Sequence, residues 1–417
     1  MTVQWGGAAV AGRDNQWRAI GQWFDQLEAH RTDASPEITA KTHELTDGVT
    51  GYYDKLARVA DYVQRNIRYF VIERGIGGHQ AHPAGDIFKY RYGDCKDKAT
   101  LVISMLQVAG IHAYYVPVDD RRGYVDPALP SAYGDHMISA IEVPAGFQDD
   151  RLQAVIQAGN GKRYLIFDPT DERTPVGYLR SDLQGSYGLL VAGADSQVFQ
   201  LPVLAPNASG AERKGEFKLT ADGTLSGAVD LARMGADGGN LRLHLKRSGE
   251  KELHDDLEQS LGRDIPGVSL EKYKYDEPAA LDKPVTLHYE LTAHQYGHVT
   301  GPLMLVRPRV VASYAHQFSP KARTVPIDLN ATGHWHDSYN IALPDGYVVD
   351  EMPDPVNLDT DFASYHSTIS AKDKVLHYER DYTVKKVELP AEKQADFRHL
   401  EGMILSDERA TVVLKKQ

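Results

Sequence analysis

The sequence predicts an α+β protein whose first half builds a core around one buried helix and whose second half is rich in β-structure. Three observations carry this. Residues Ala99 to Ala109 are so densely apolar that the segment reads as a helix buried on most of its circumference, with Gly110 as its left-handed stop. After Gly110 the chain changes to short runs of strand composition. Beyond Leu201-Pro202 to Pro206-Asn207, which reads as a linker, hairpin signals and alternating patterns take over. The expected domains are residues 1–205 and 206–417, and a chain of 417 residues is long enough for each to bury a core.

Taken in order, Asp14 to Ala29 carries Trp17, Ile20, Trp23, Phe24 and Leu27 at spacings of three and four, an amphipathic helix whose aromatic side must be covered. A second helix is expected from Pro36 to Leu45. A third, capped by Thr50, shows Leu56, Val59, Val63 and Ile67 on one face before Tyr69-Phe70-Val71-Ile72 turns extended. Gly75 to Pro83 reads as a flexible loop that delivers the chain to the buried helix. His112 to Val118, Asp135 to Val143 and Arg163 to Phe167 read as strands, Asp119 to Tyr133 as a polar loop, and Gln184 to Val191 as a closing strand.

In the second half, Glu216 to Thr220 and Ser226 to Leu231 flank Ala221-Asp222-Gly223-Thr224, a hairpin signal. One helix is expected from Asn240 to Leu261. Strands follow at Val285 to Leu291, Tyr339 to Leu343, Phe362 to Ile369 and Val375 to Thr383, then a helix from Pro390 to Ser406 and a strand from Thr411 to Leu414. No constellation of chemistry-bearing residues stands out in this half.

The balance of 46 basic against 58 acidic residues gives a formal charge of −12, which argues against a nucleic-acid backbone or an anionic membrane surface as the main partner. No run of about 18 apolar residues is long enough for a transmembrane segment. The start, Met1-Thr2-Val3-Gln4-Trp5-Gly6-Gly7, lacks the sections of a secretion signal. Cys95 is the single cysteine, so neither a disulfide within the chain nor a cysteine-rich zinc site explains it.

Cys95 falls in the first turn of the buried helix, flanked by Gly93-Asp94 and Lys96-Asp97-Lys98, a setting unlike that of an inert core cysteine. The thiolate is the form that attacks carbonyl carbon, and the unpaired N–H groups of a helix start favour an anion. A sulfur nucleophile needs a base, and the base needs a third group that fixes its tautomer. The chain offers Cys95, His136 and Asp168 in that order, the latter two at the ends of apolar strands. If those strands are neighbours, the imidazole and the carboxylate meet at the sheet edge facing the helix mouth.

Tyr92, Gly93 and Asp94, with the backbone N–H groups around Cys95, are expected on the oxyanion and substrate side of the cleft, Gly93 allowing close approach of a substrate backbone. Asp94 and Asp97 themselves read as cap and salt-bridge groups. His79 and Gln80, in the loop before the helix, are expected on the cleft wall. His79 and His82 lie three apart but have no carboxylate or thiol at ligand spacing, so neither a metal nor a cofactor is expected. His112 is the rival base, set about 22 Å from the helix start by the length of the helix.

Arg91-Tyr92-Gly93-Asp94-Cys95-Lys96-Asp97-Lys98-Ala99, Asp135-His136-Met137-Ile138 and Phe167-Asp168-Pro169-Thr170-Asp171 resemble the three core motifs of the transglutaminase-like superfamily. The likeness extends to Val63 to Tyr69 and to the end from Leu389 to Lys416. It is strongest with bacterial proteins that carry such a core between an N-terminal β-domain of unknown function and a C-terminal β-rich region. The resemblance implies a papain-like α+β core with Cys95 as nucleophile, His136 as base and Asp168 as its acidic partner, working through an acyl-enzyme without metal. It further implies an exported protein, periplasmic or of the cell envelope, whose N-terminal domain and export signal precede the present start. The cysteine lacks the Cys-Gly-Ser-Cys-Trp surroundings of papain itself.

Two functional expectations follow. The first is a thiol enzyme acting on amide bonds of a protein or peptide substrate, passing the acyl group to an amine or to water. The second is a binding or scaffold protein working through its β-rich half. An amide-releasing deglycosylase has no sugar-binding signature in this sequence.

Overall fold

The structure, a computed structural model, describes residues 12–71, 75–132, 134–278, 280–315 and 321–417; Ile72 of the expected extended segment and Tyr133 of the expected loop lie outside the described residues. The chain divides into two compact units, Met1–Leu204 and Ala205–Gln417.

The first unit opens with α1 (Arg13–Leu27), α2 (Pro36–Thr46) and α3 (Tyr52–Asn66). Trp17, Ile20 and Phe24 are buried, as the spacing on α1 requires. Ser35 caps α2 by accepting from Ile38 N–H, and Pro36 takes the first helical position, where a missing N–H costs nothing. The expected Thr50 cap is not used. Gly51 is the capping position of α3 without a side-chain bond, and Asp54 supplies negative charge in the first turn.

Next come β1 (Arg68–Tyr69), α4 (Ala84–Tyr90), β2 (Tyr92–Gly93) and α5 (Cys95–Val108). The expected flexible loop is better tied than its glycines indicate. Gly75–Gly78 form a 3-10 turn, Gln80 donates to the Leu27 carbonyl at 2.6 Å, and Ala81 N–H is shared by both Glu28 carboxylate oxygens. The seven-residue α4 is too short to show a helical period in sequence.

Helix α5 is the centre of this unit. Every residue from Cys95 to Leu106 is buried, against α2, α3 and α4 and against the sheet strands β3 (Ala113–Val118) and β4 (His136–Val143). Leu101, Val102, Ile103 and Leu106 each contribute about 1.5–3 kcal/mol by that burial, which is what holds the helix start in a fixed position. Gly110 takes the left-handed conformation that ends the helix, φ 78°. The sheet is completed by β5 (Val155–Gln157), β6 (Arg163–Phe167), β7 (Tyr187–Leu190) and β8 (Gln197–Gln200), in the order β5-β6-β4-β3-β7-β8, antiparallel throughout. Because β4 and β6 are neighbours, with Ser139 opposite Phe167, the start of one strand and the end of the other lie at one sheet edge.

The second unit begins with the hairpin β9 (Gly210–Leu219) and β10 (Leu225–Met234). The single helix expected over Asn240–Leu261 is two, α6 (Gly235–Arg247) and α7 (Glu250–Asp264), because the chain turns extended at Ser248-Gly249. Then follow β11 (Val268–Asp276), β12 (Val285–Ala293), β13 (His298–Thr300), β14 (Leu303–Val306), β15 (Ile327–Asp328), β16 (Gly333–Ala342), β17 (Tyr347–Glu351), β18 (Val356–Asp359), β19 (Ala363–Lys372), β20 (Val375–Val384), β21 (Glu388–Leu389), α8 (Gln394–Arg409) and β22 (Val412–Lys416). Eight strands form one sheet, β11-β12-β10-β9-β16-β20-β19-β18, in which only β9 and β16 run parallel. Four more form β13-β14-β22-β17, and side chains of both sheets share one apolar core that includes Val229, Tyr339, Met304 and Leu414.

Along β9, β16 and β20 the side chains alternate between that buried face and solvent. The buried face is charged as well as apolar. Arg213, Asp337 and Arg380 stand opposite one another across three adjacent strands, and Arg380 also pairs with Glu408 of α8 at 3.1 Å. No helix among the described residues is long and apolar enough to cross a membrane.

Candidate active site

Cys95 is the first residue of α5, and a reciprocal cap sets it there. The Asp94 carboxylate accepts from Asp97 N–H at 3.3 Å, and the Asp97 carboxylate accepts from Asp94 N–H at 3.2 Å. Lys96 Nζ donates to Asp94, and His82 sits on Asp97, its N–H donating to Oδ1 at 2.8 Å. Burial pushes the Asp94 carboxyl above the usual carboxylate range, a tendency that Asp97 reinforces and Lys96 opposes. The two aspartates thus close the helix start. The N–H groups of Cys95 and Lys96, which point away from the helix, have no hydrogen-bond partner among the described residues.

Gly93 is required here for a reason other than substrate access. A Cβ at Gly93 would lie 2.4 Å from Asp97 Cβ, so the capping carboxylate fills the space that the missing side chain leaves. Its carbonyl accepts from Phe70 N–H, continuing the parallel pairing in which Tyr69 stands opposite Gly93. Tyr92 is partly exposed, edge-on to Phe70 with ring centroids 6.1 Å apart. His79 and Gln80 are engaged with the first helix: the His79 ring lies 6.3 Å from that of Trp23, and Gln80 holds the Leu27 carbonyl. The loop residue that reaches the helix mouth is His82.

His136 opens β4 and Asp168 directly follows β6, and the edge formed by these neighbours brings them together. His136 Nε2 donates to Asp168 Oδ2 at 2.9 Å, with both side chains almost fully buried. The Cys95 sulfur lies near enough to the same imidazole to favour its charged form, and Asp168 occupies Nε2. Burial disfavours a charged imidazole, but the charge and hydrogen bond of Asp168, joined by Cys95, hold its pKa up at about 10. Burial likewise works against the Asp168 carboxylate, yet His136, Arg180 and Thr170 keep its pKa down at about 2.

Asp168 accepts four hydrogen bonds in all. Besides His136, Thr170 N–H and Oγ1 donate to Oδ1 at 2.9 and 2.7 Å, and Arg180 Nη1 donates to Oδ2 at 3.3 Å. Sequence reasoning gave Thr170 no role, although Asp-Pro-Thr carries the signal that would have found it, since an aspartate commonly binds the backbone two residues on. Arg180 could not have been found that way, because a loop arginine 12 residues away carries no spacing signal. Lys98 also escaped notice. Its buried ammonium donates to the Gln64 and Ile67 carbonyls at 3.2 and 3.0 Å, closing the end of α3, and burial lowers its pKa to about 8.

A sulfur, an imidazole and a carboxylate in this order can carry out nucleophilic attack with proton transfer. Residues 39–161, which include Cys95 and His136, match the model of the Transglutaminase-like superfamily, and residues 303–414 match that of a domain of unknown function with solved structure, DUF3858. No curated protein matches the sequence. A crystal structure described as a "putative protease" from Parabacteroides distasonis has the same fold, with a TM-score of 0.53 at 12% identity, covering 96% of this chain and 58% of that one. This chain therefore spans 58% of that protein's length. An M1 zinc metallopeptidase from Deinococcus radiodurans, at TM-score 0.19 and 9% identity over 50% of this chain and 42% of its own, is too dissimilar to inform either fold or function. Residues 39–161, which carry the Cys95 and His136 motifs, are therefore a transglutaminase-like domain of α+β fold within the first unit, with the Asp168 motif just beyond the matched segment.

Proposed function

We propose that this protein is a cysteine-dependent enzyme that acts on amide bonds of a protein or peptide substrate. The observation that carries the reading is the buried His136–Asp168 pair, 2.9 Å apart, beside a cysteine at the start of a fixed helix. Starting from a thiolate–imidazolium pair, the Cys95 sulfur adds to the amide carbonyl carbon, and the carbonyl oxygen takes the electron pair as an oxyanion. The free N–H groups of Cys95 and Lys96 are the donors available to that oxygen. Collapse of this adduct breaks the carbon–nitrogen bond, and the leaving amine takes its proton from His136, giving a thioester on Cys95 and a neutral imidazole. Water or a primary amine then gives a proton to His136 and attacks the thioester, which releases the acid or the new amide and restores the thiolate–imidazolium pair. Asp168 stays ionised throughout and keeps the imidazole oriented with its proton on Nε2.

The test is an acyl-enzyme trap. The full chain is incubated with a peptide-amide library, quenched in acid and digested, and mass is read at Cys95 with and without an added primary amine. An acyl adduct on Cys95 that decays faster with amine supports transfer, and one indifferent to amine supports hydrolysis. Turnover that persists in Cys95→Ala would sink the proposal.

A further inference from the structure

The second unit carries a row of metal-binding side chains on the solvent face of its large sheet. Residues two apart on a strand share a face, so His334 and His336 of β16 point to the same side, while Trp335 between them turns inward and donates to Asp237. Asp381 of β20 stands opposite His336, and both imidazoles reach one of its oxygens: His334 Nε2 and His336 Nδ1 each lie 3.0 Å from Asp381 Oδ1. The row continues on either side. Glu212 of β9 is in register with His336, and His366 of β19 is in register with Asp381.

This row is held from beneath. The adjoining residue of each strand, Arg213, Asp337, Arg380 and Ser367, belongs to the buried face, where the first three form the ion pairs described above. The strand spacing under the histidines is therefore fixed, while the side chains of His334, His336 and Asp381 remain 41, 30 and 47% exposed.

We propose that His334, His336 and Asp381 bind zinc or another late first-row divalent cation. Zinc takes imidazole nitrogen and carboxylate oxygen at about 2.0–2.2 Å, so neighbouring donors of a tetrahedral site lie roughly 3.4 Å apart. The two nitrogen–oxygen separations of 3.0 Å are already close to that. The gap still to close is the one between the two rings, since among the described residues only Asp119, Asp120 and Asp135 bring three ligand atoms within 4.8 Å of one another. That aspartate set is taken up by Arg121 and Arg180. Two imidazoles beside one carboxylate favour zinc over magnesium or calcium, which take oxygen ligands. The fourth position falls to water, since Glu212 is paired with Lys214 and His366 with Asp359.

The measurement is equilibrium dialysis of the tag-free full chain against zinc, with metal and protein counted together, followed by cobalt substitution and its visible spectrum. The wild-type chain and Cys95→Ala should each bind one ion, and the cobalt spectrum should lack a thiolate charge-transfer band. His334→Ala and His336→Ala should each weaken binding at least about ten-fold, and Asp381→Asn should follow them. All three sites are on the exposed face, so circular dichroism should be unchanged. Loss of the ion in Cys95→Ala, a thiolate band with cobalt, no zinc bound by the wild-type chain, or binding unchanged in His334→Ala and His336→Ala overturns the proposal.

Discussion

At the scale of single residues, sulfur and imidazole are expected to behave as one unit. Cys95→Ala exchanges side chains of similar volume, so it should abolish amide turnover while urea unfolding stays within about 1 kcal/mol of wild type. Asp168→Asn should retain a small residual rate, because an amide in that place can favour the wrong tautomer of His136. The pH dependence of stability has a definite sign. The imidazole is raised from 6.5 to about 10, so the folded chain holds a proton that the unfolded chain releases first. This stabilisation is complete below about pH 6.5 and is lost as pH rises through about 10. Denaturant unfolding at pH 6.5, 8 and 9.5 should show the loss in wild type and not in His136→Ala. The meeting of residues 136 and 168 was readable because each is polar at the end of an apolar strand. Arg180, which helps keep Asp168 ionised, was not, since a contact made between loops leaves no periodicity behind.

At the scale of elements, the helix start is a small lattice of mutually dependent groups. Gly93 leaves room for Asp97, Asp97 closes the cap with Asp94 and receives His82, and Asp94 holds Lys96. Gly93→Ala drives a Cβ into the capping carboxylate and should destabilise the protein by about 1–3 kcal/mol, measured by urea unfolding. Alkylation of Cys95 by iodoacetamide should change in the same variant, because the sulfur moves with the cap. Just behind this lattice, Glu28 is buried with its carboxylate on Ala81 N–H, and burial pushes its pKa up to about 7. A carboxyl that binds its proton more tightly when folded loses stability as pH rises from about 4.5 through 7. Glu28→Gln keeps an oxygen for Ala81 and should remove that part of the decline, so its advantage over wild type should grow between pH 5 and pH 8. The helix itself was legible from its apolar density, and so were the strands with a clear period. The short α4 and the break between α6 and α7 were not, because the first spans too few residues to show a period and the second interrupts one with only Ser248-Gly249.

At the scale of the molecule, the second unit shows where residue type misleads. By charge alone Arg213, Asp337 and Arg380 belong in solvent, although the two-residue period of their strands puts them in phase with Phe217, Tyr339 and Tyr378. They lie instead on the buried face, where Arg380 and Asp337 have no exposed surface and Arg380 also pairs with Glu408, donates to the Ala312 carbonyl at 2.6 Å and stacks 4.2 Å from the Tyr314 ring. Each ion has therefore exchanged water for a fixed set of partners, and removing one leaves the others buried without compensation. Arg380→Met should lower the unfolding free energy by about 3–5 kcal/mol, because Asp337 and Glu408 lose their shared cation. A combined Arg213→Met, Asp337→Leu and Arg380→Met chain removes most of that imbalance and should recover much of the loss. Urea unfolding of both variants distinguishes this from simple packing loss. A triple variant weaker than Arg380→Met by a further additive amount would mean that the ions act as independent space-fillers and not as a coupled row.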